Sequence, residues 1–322
     1  VVVAGDRATA ILPFCVRAER FKLGPLRVLT YPLHDWGPYY GPIGPDPAAT
    51  LAAGMKHIRR TRRDWDLLDP RWIAADAWNQ EQTERAMRTA GFHPFKQPWT
   101  ETAVISLGGS FEEYFAARTS KWRNNFRRHE RRLAELGDIV YVNYRPRGER
   151  FGQCDPRWDL YDQCESIARK SWQGSSETGT TLTHESVRPF LRGVHAAATR
   201  KGAVDLNLLM VGGRPAAFAY NYHYRGSVYG LRIGFDPEFR DGVGNVLYVR
   251  AIENAFKCGD RRYDLGPDYL EAKRPFITAI ETSYRLTHYP AASLRAQALR
   301  IHHATRSWLG SESFEGAKVA PA

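Results

Sequence analysis

The sequence predicts a mixed α/β protein with a mixed sheet, built as two tandem lobes of which the first is incomplete. Three observations carry this expectation. Residues 203–275 read as one continuous succession: a three-strand meander, a glycine loop, a helix, a short strand and a last helix. The first hundred residues end in a similar order of elements but lack its opening part. Between the two, residues 110–137 show helix-capping signals and an arginine-rich run.

The first lobe starts with strand-like runs over 8–16 and 26–30, then a Pro/Gly/Tyr loop and a helical run over 48–63. A short strand over 65–68, a helix over 79–90 stopped by Gly91, and strands over 92–99 and 102–107 complete it. Ser110 and Glu113 make a capping box, a second helix starts near Thr119 or Ser120, and Gly137 ends it. The second lobe opens with a strand over 139–144 and helices over 156–171 and 185–201. Its meander runs over 204–211, 216–224 and 227–235, punctuated by Gly212-Gly213-Arg214-Pro215 and Arg225-Gly226. A helix over 244–257 follows, with Val246, Val249, Ile252 and Phe256 at three- and four-residue spacing. Then come a strand over 263–265, a helix over 269–278 and a strand over 283–289. Leu294, Ala298, Ile301 and Trp308 mark a closing helix. The expected divisions are a partial lobe 1–109, a basic connector 110–137, a full lobe 138–290, and a closing helix and tail 291–322.

At 322 residues the chain is long enough for about two domains or one large one. Its 43% apolar and 25% charged residues fit an ordinary globular protein, and no apolar run approaches the roughly 18 residues of a membrane span. Cys15, Cys154, Cys164 and Cys258 are scattered without metal-ligand spacing, which points to free thiols in a reducing cytoplasm and to no metal. The net charge of +11 favours an anionic partner: nucleic acid, an anionic membrane surface or a phosphorylated cofactor. The competing explanation is an arginine-rich proteome that drifts basic without binding anything.

Three segments carry the candidate chemistry. Arg118, Lys121, Arg123, Arg127, Arg128, Arg131 and Arg132 crowd into about four turns, with Trp122, Phe126, Leu133 and Leu136 as the only apolar stripe. Like charges this dense repel unless an anion offsets them; only Glu130 interrupts. The bland alternative is a solvated surface helix. In the loop Arg240-Asp241-Gly242-Val243-Gly244-Asn245, the glycines let backbone approach a ligand, and free N–H groups at a helix start suit a phosphate. A plain turn uses the same residues. Finally, Asp264, Asp268, Tyr269 and Lys273 gather at one rim of a sheet. Amide-forming transfer needs an amine freed of its proton, a polarised carbonyl and a proton route to the leaving group, which a carboxylate with Lys or Tyr can supply. Alternatively the two aspartates cap the helix and Lys273 is solvated. Trp172 and Tyr39, each in a loop, are candidate acceptor contacts. His223 and the pair His302-His303 read as structural or surface residues. No nucleophile elbow or Walker loop is present, which disfavours hydrolase and ATPase classes.

Four motifs carry a family resemblance: Lys121-Trp122-Arg123-Asn124-Asn125-Phe126-Arg127-Arg128, the turn Gly212 to Ala217, Gly242-Val243-Gly244, and Asp264-Leu265-Gly266 followed by Lys273. With these, the chain resembles GNAT-fold acyltransferases of the FemABX-like and cellulose-biosynthesis-type branch. The resemblance implies a splayed sheet with the donor entering where two central strands part. It also implies an acyl carbonyl held by N–H groups near Ile233, Gly234 and Phe235, and a lysine at Lys273 important for transfer. Arg240, Gly242, Gly244 and Asn245 would face donor phosphate. Lys121, Arg123, Asn124, Arg127, Arg128 and Arg131 would meet tRNA. The expected activity is N-acyl transfer to a small-molecule or cell-wall-type amine, with no tightly bound cofactor. The donor is aminoacyl-tRNA or, alternatively, an acyl-coenzyme A. The coenzyme A loop departs from the family's pattern at Phe239, three places before Gly242, and Ala272 stands where a tyrosine is common. A silent GNAT module binding RNA or a membrane surface is the reading from a different class.

Overall fold

The computed structural model describes residues 1–4, 6–22, 24–32, 39–74, 77–176, 181–239, 242–267 and 269–308, so Arg240 and Asp268 lie outside the described residues. The chain divides into two compact units, Val1–Glu101 with Glu281–Ala322, and Thr102–Ile280.

In the first unit, β1 (Val2–Ala4) and β2 (Arg7–Ala10) form a hairpin. The strand expected over 8–16 is two: Pro13 has no N–H to continue a ladder, and β3 (Cys15–Phe21) starts after it. It pairs antiparallel with β4 (Gly24–Thr30). Helix α1 (Pro47–Arg60), capped by Asp46 accepting from Ala49 N–H at 2.9 Å, crosses to β5 (Leu67–Leu68), which lies parallel to β4. Then come α2 (Ala77–Thr89) and β6 (Phe95–Ser106), the latter continuous where two strands were expected. Thr100 and Thr102, both good strand formers, do not interrupt it.

The second unit starts with α3 (Phe111–Ala116), α4 (Ser120–Ala134) and β7 (Ile139–Tyr144). After α5 (Trp158–Lys170) and α6 (Arg188–Lys201), the meander β8 (Val204–Val211), β9 (Arg214–Tyr224) and β10 (Ser227–Phe235) leads into α7 (Val243–Lys257), β11 (Arg262–Gly266) and α8 (Leu270–Lys273). The helix expected over 269–278 stops at Lys273. Arg274 is still helical, but Pro275 has no N–H to donate to the Glu271 carbonyl, so the ladder breaks there. The chain closes with β12 (Ala279–Thr287) and α9 (Leu294–Trp308).

The repeated order is visible as geometry. β3 pairs antiparallel with β4, and α1 carries the chain to a parallel β5. Likewise β9 pairs antiparallel with β10, and α7 carries it to a parallel β11. The strand that ends each half then completes the other unit. Ala103 to Ser106 of β6 pair with β11, while Tyr284 and His288 bridge to Ile73 and Leu68. The unit boundaries therefore fall at 101/102 and 280/281, not at 109 and 290. Nor does the segment 110–137 stand apart: Tyr114, Phe126 and Leu133 sit in the apolar core of the second unit with Val246, Val249 and Ile252.

The first unit is also pinned by a buried ion cluster. Asp69 accepts from Arg71 at 2.6 Å, from Arg285 Nε at 3.0 Å and from Thr287 at 2.7 Å, while Arg71 forks onto Glu19 at 2.7 and 3.0 Å. Trp99 receives both guanidiniums, each 4.9 Å from its ring. Burial alone would raise the Asp69 pKa, but Arg285 and Arg71 hold its carboxyl well below the usual carboxylate range. A depressed folded-state value means this stabilisation is complete above the unfolded value of about 4 and fades as pH falls below it. Asp69→Asn should cost roughly 3–5 kcal/mol, because Arg285 loses its buried counter-charge and Arg71 keeps only Glu19. Thermal unfolding followed at neutral and acidic pH checks this: the wild type should lose stability on acidification and the variant lose distinctly less.

Candidate active site

β10 follows β9 along its whole length, but the register slips between Gly230 and Arg232, so Leu231 is a bulge. Its parallel pairing with β11 covers only Ser227–Arg262, Val228–Tyr263 and Tyr229–Asp264; beyond that the strands part. Gly230 stands at the fork. A Cβ there would lie 2.9 Å from the Asp264 carbonyl oxygen, so only glycine allows the close approach before the split. A cleft of about 60 Å³ opens at the split, lined by Leu231, Ile233, Asn221, Tyr248, Tyr263 and Lys273 among others.

The exposed edge of β10 follows from strand alternation. Asp236 N–H donates to Ala216 of β9 at 2.8 Å, so Gly234 also faces β9, while the N–H groups of Ile233 and Phe235 face the side that β11 has left. On that side, Trp172 Nε1 (3.3 Å) and Gln173 Nε2 (3.2 Å) donate to the Ile233 carbonyl from the one-turn helix Trp172–Ser175. Gly234 is pressed against Phe218, Ser171 and Gln173.

A buried polar row reaches the cleft. Asp205 accepts from Asn143 (2.9 Å), Asn207 (3.1 Å) and Asn221 (2.9 Å), and Asn221 also donates to the Tyr263 hydroxyl at 2.8 Å. A carboxylate only accepts, so Asp205 fixes which way the Asn221 amide faces. The Tyr263 oxygen is then an acceptor toward Asn221, and its own hydrogen is left for another partner. Burial, reinforced by Asp205, pushes the Tyr263 hydroxyl well above its usual pKa, and burial pushes Tyr248 up to about 12, so both stay protonated. Sequence reading singled out neither Asn221 nor Asp205. The available signal was a run of polar residues at alternate positions in otherwise apolar strands.

The expected site residues divide. Lys273 lies in the cleft and donates to the Gly266 carbonyl at 3.0 Å. Asp264 is fully buried on the opposite face of β11 from Tyr263 and Leu265. Its oxygens accept from Gly266 N–H (2.8 Å) and Arg262 (3.0 Å), so it braces the Gly266 corner that Lys273 touches. Tyr269, at φ 55° and 77% exposed, starts α8 and is not brought to the cleft. Gly242 (φ 87°) starts α7, but the His129 ring of α4 lies where a Cβ would be, at 2.5 Å. Gly244 is half-buried within α7, beside Phe235, and Asn245 lines a separate cavity with Trp122 and His129. On α4, Trp122, Phe126 and Leu133 face the core, and Lys121, Asn124, Arg127, Arg128 and Arg131 are exposed. Arg123 departs from the expected anion face, since its guanidinium is turned to the Ala116 carbonyl; Arg118 likewise donates to Ile277 at 2.9 Å. Tyr39 belongs to the first unit, where its hydroxyl lies 3.4 Å from Glu281.

Residues 120–274 match the family model of the acetyltransferase (GNAT) domain. No curated protein sequence matches the chain. Among solved structures, the C-terminal domain of a putative lysylphosphatidylglycerol synthetase from Agrobacterium fabrum is similar at 14% identity and a TM-score of 0.51, over 96% of this chain and 92% of that one. L-PGS from Bacillus licheniformis is similar at 13% identity and a TM-score of 0.53, over 89% and 88%. FemX is similar at 12% identity and 0.52, over 90% of each chain. The segment 120–274 thus matches a GNAT acetyltransferase domain, and the likeness to these solved structures is one of fold. The resemblance to the FemABX-like branch thus holds at the level of fold.

Gly230→Ala should be poorly tolerated, because the atoms it meets are backbone of β11 and cannot rotate away. The expected outcome is a loss of about 1–3 kcal/mol in denaturant unfolding and weakened acyl transfer. Gly108→Ala, where a Cβ meets nothing within 4 Å and φ is not in the left-handed region, is the control without the clash.

Proposed function

We propose that the protein transfers an aminoacyl group from aminoacyl-tRNA to an amine, forming an amide. The observation that carries this reading is the placement of α4. Its His129 ring sits against Gly242 at the start of α7, where a coenzyme A diphosphate would approach, and its outer face offers Lys121, Arg127, Arg128 and Arg131 to an anion. The net charge of +11 supports the same reading. A polyanion held along α4 needs no diphosphate at the glycine loop.

In this reading the acyl carbonyl lies along the free edge of β10, with Ile233 and Phe235 N–H groups as donors to its oxygen. The amine nitrogen attacks, and the negative charge that develops is met by these donors and by the Lys273 ammonium. The carbon–oxygen bond breaks as the ribose oxygen leaves and takes up a proton from solvent to become the free hydroxyl. Asp264 acts as a positioning residue through Gly266. The amine's proton is assigned to Asp268. The acceptor is a small-molecule or cell-wall-type amine. An acyl-coenzyme A donor is the second reading, favoured by the acetyltransferase description of the matched family.

Products formed from a panel of charged tRNAs and acyl-coenzyme A thioesters, identified by mass spectrometry, distinguish the two. Lys273→Met should lower kcat by about 10²-fold, the usual effect of removing one donor to a developing oxyanion, with the fold unchanged by circular dichroism. Reversing Arg127 and Arg131 to Glu should weaken tRNA binding and flatten its dependence on log salt by about one unit per lost phosphate contact. Acyl-coenzyme A turnover that survives this double reversal, with no product from any charged tRNA, would sink the tRNA reading.

A further inference from the structure

A second cavity of about 210 Å³ lies between α4, α7 and the segment after α8. Three of its walls are aromatic. Trp122 and Phe126 run nearly parallel (17° between rings), and Phe276 meets Trp122 edge-on at 5.5 Å. Its polar lining is Asn125, Asn245 and His129. His129 Nδ1 is packed against Gly242 and has no hydrogen-bond partner among the described residues.

The chemistry of this lining is selective. Flat aromatic faces accept a nucleobase by stacking. A carboxamide presents a donor and an acceptor side by side, the complement of adenine N6 and N7. We propose that this cavity takes the terminal adenosine of the acyl donor; the inference rests on the acyl-transfer reading above and deepens it.

Both candidate donors contain an adenosine, but they carry it at different distances from the reacting carbonyl. The cavity and the acyl cleft share one wall. Ala272 lines the former and Lys273 the latter; on α7, Asn245 and Val249 line the former and Tyr248 the latter. Tyr248 and Phe276, with ring centres 5.3 Å apart, stand between the two. In a charged tRNA the acyl group is esterified to the ribose of that same adenosine, so base and carbonyl are one sugar apart. In coenzyme A a diphosphate and the whole pantetheine arm intervene. A base cavity one side-chain layer from the cleft suits the ribosyl ester. The cations on the outer face of α4 then face the phosphates of the preceding nucleotides.

The test uses the full chain and three probes: the trinucleotides CpCpA and CpCpC, and coenzyme A, each by equilibrium dialysis at fixed salt. CpCpA should bind at least tenfold more tightly than CpCpC. Asn125→Ala and Asn245→Ala should each bring that ratio toward one, and Ala272→Phe, which fills the cavity from its exposed side, should do the same. Melting temperature is read in parallel, so that a variant that fails to fold is recognised and the outcome is taken from the folded ones. Equal binding of CpCpA and CpCpC by the wild type, or a preference that all folded variants retain, overturns the proposal. If the variants lower coenzyme A affinity and leave CpCpA untouched, the ribosyl-ester assignment is overturned. Failure of the wider reading looks different: no amide from any donor, with the CpCpA preference intact.

Discussion

The parting of β10 from β11 is the constraint on which the rest of the second unit depends. Three parallel pairs hold the strands together, then a glycine and a bulge release them. Each piece is local backbone chemistry. Gly230 lets β11 come close, and Leu231 has no partner on β9, so the strand turns its free edge outward. Without the fork there would be no unpaired N–H groups in the middle of a sheet, and the cleft lined by Lys273 and Tyr263 would be closed by ordinary ladder bonds. An unpaired edge inside a protein is normally a cost. Here part of it is met by Trp172 and Gln173 on the Ile233 carbonyl, while the Ile233 and Phe235 N–H groups face away from β9.

The polar groups behind the fork make sense as orientation rather than as reactive groups. Asp205 carries its charge in a strand core, satisfied by three asparagine amides. That charge sets the Asn221 amide and, through it, the Tyr263 hydroxyl. Asp264 does comparable work on the other face by holding Gly266, whose carbonyl receives Lys273. Buried charges of this kind add little to net stability when compared with an apolar core, but they leave few alternative side-chain arrangements. The ion cluster around Asp69 serves the first unit in the same manner, tying β3, the residues after β5, and β12 to one buried carboxylate.

The basic helix illustrates how packing sorts a charge run. Seven cations read alike in the sequence, but α4 rotates its Trp122, Phe126 and Leu133 stripe into the core, and the remaining positions follow from the 3.6-residue period. Arg118 and Arg123 end on backbone carbonyls, Glu130 pairs with Arg250, and the cations left outside form one face. The helix therefore both packs on α7 and presents an exposed basic face.

Sequence by itself determined the mixed α/β class, the meander over 204–235, the helix that follows it, the repeated order of elements and Lys273 as a residue at the rim of the sheet. These are legible because they depend on short-range rules: period-two and period-3.6 patterns, glycine and proline punctuation, capping. Where an expected element differs from the observed one, the cause is equally local: Pro13 divides one strand and Pro275 shortens a helix. Only the tertiary structure decided that the terminal strands β6 and β12 are exchanged between the halves, that Asp264 is a brace, that Tyr269 stays outside, and that Asn221 and Tyr263 meet at the cleft. Each of these is a pairing between residues far apart in the chain. Strand register and the choice of sheet neighbour leave no mark on the composition or periodicity of either segment alone.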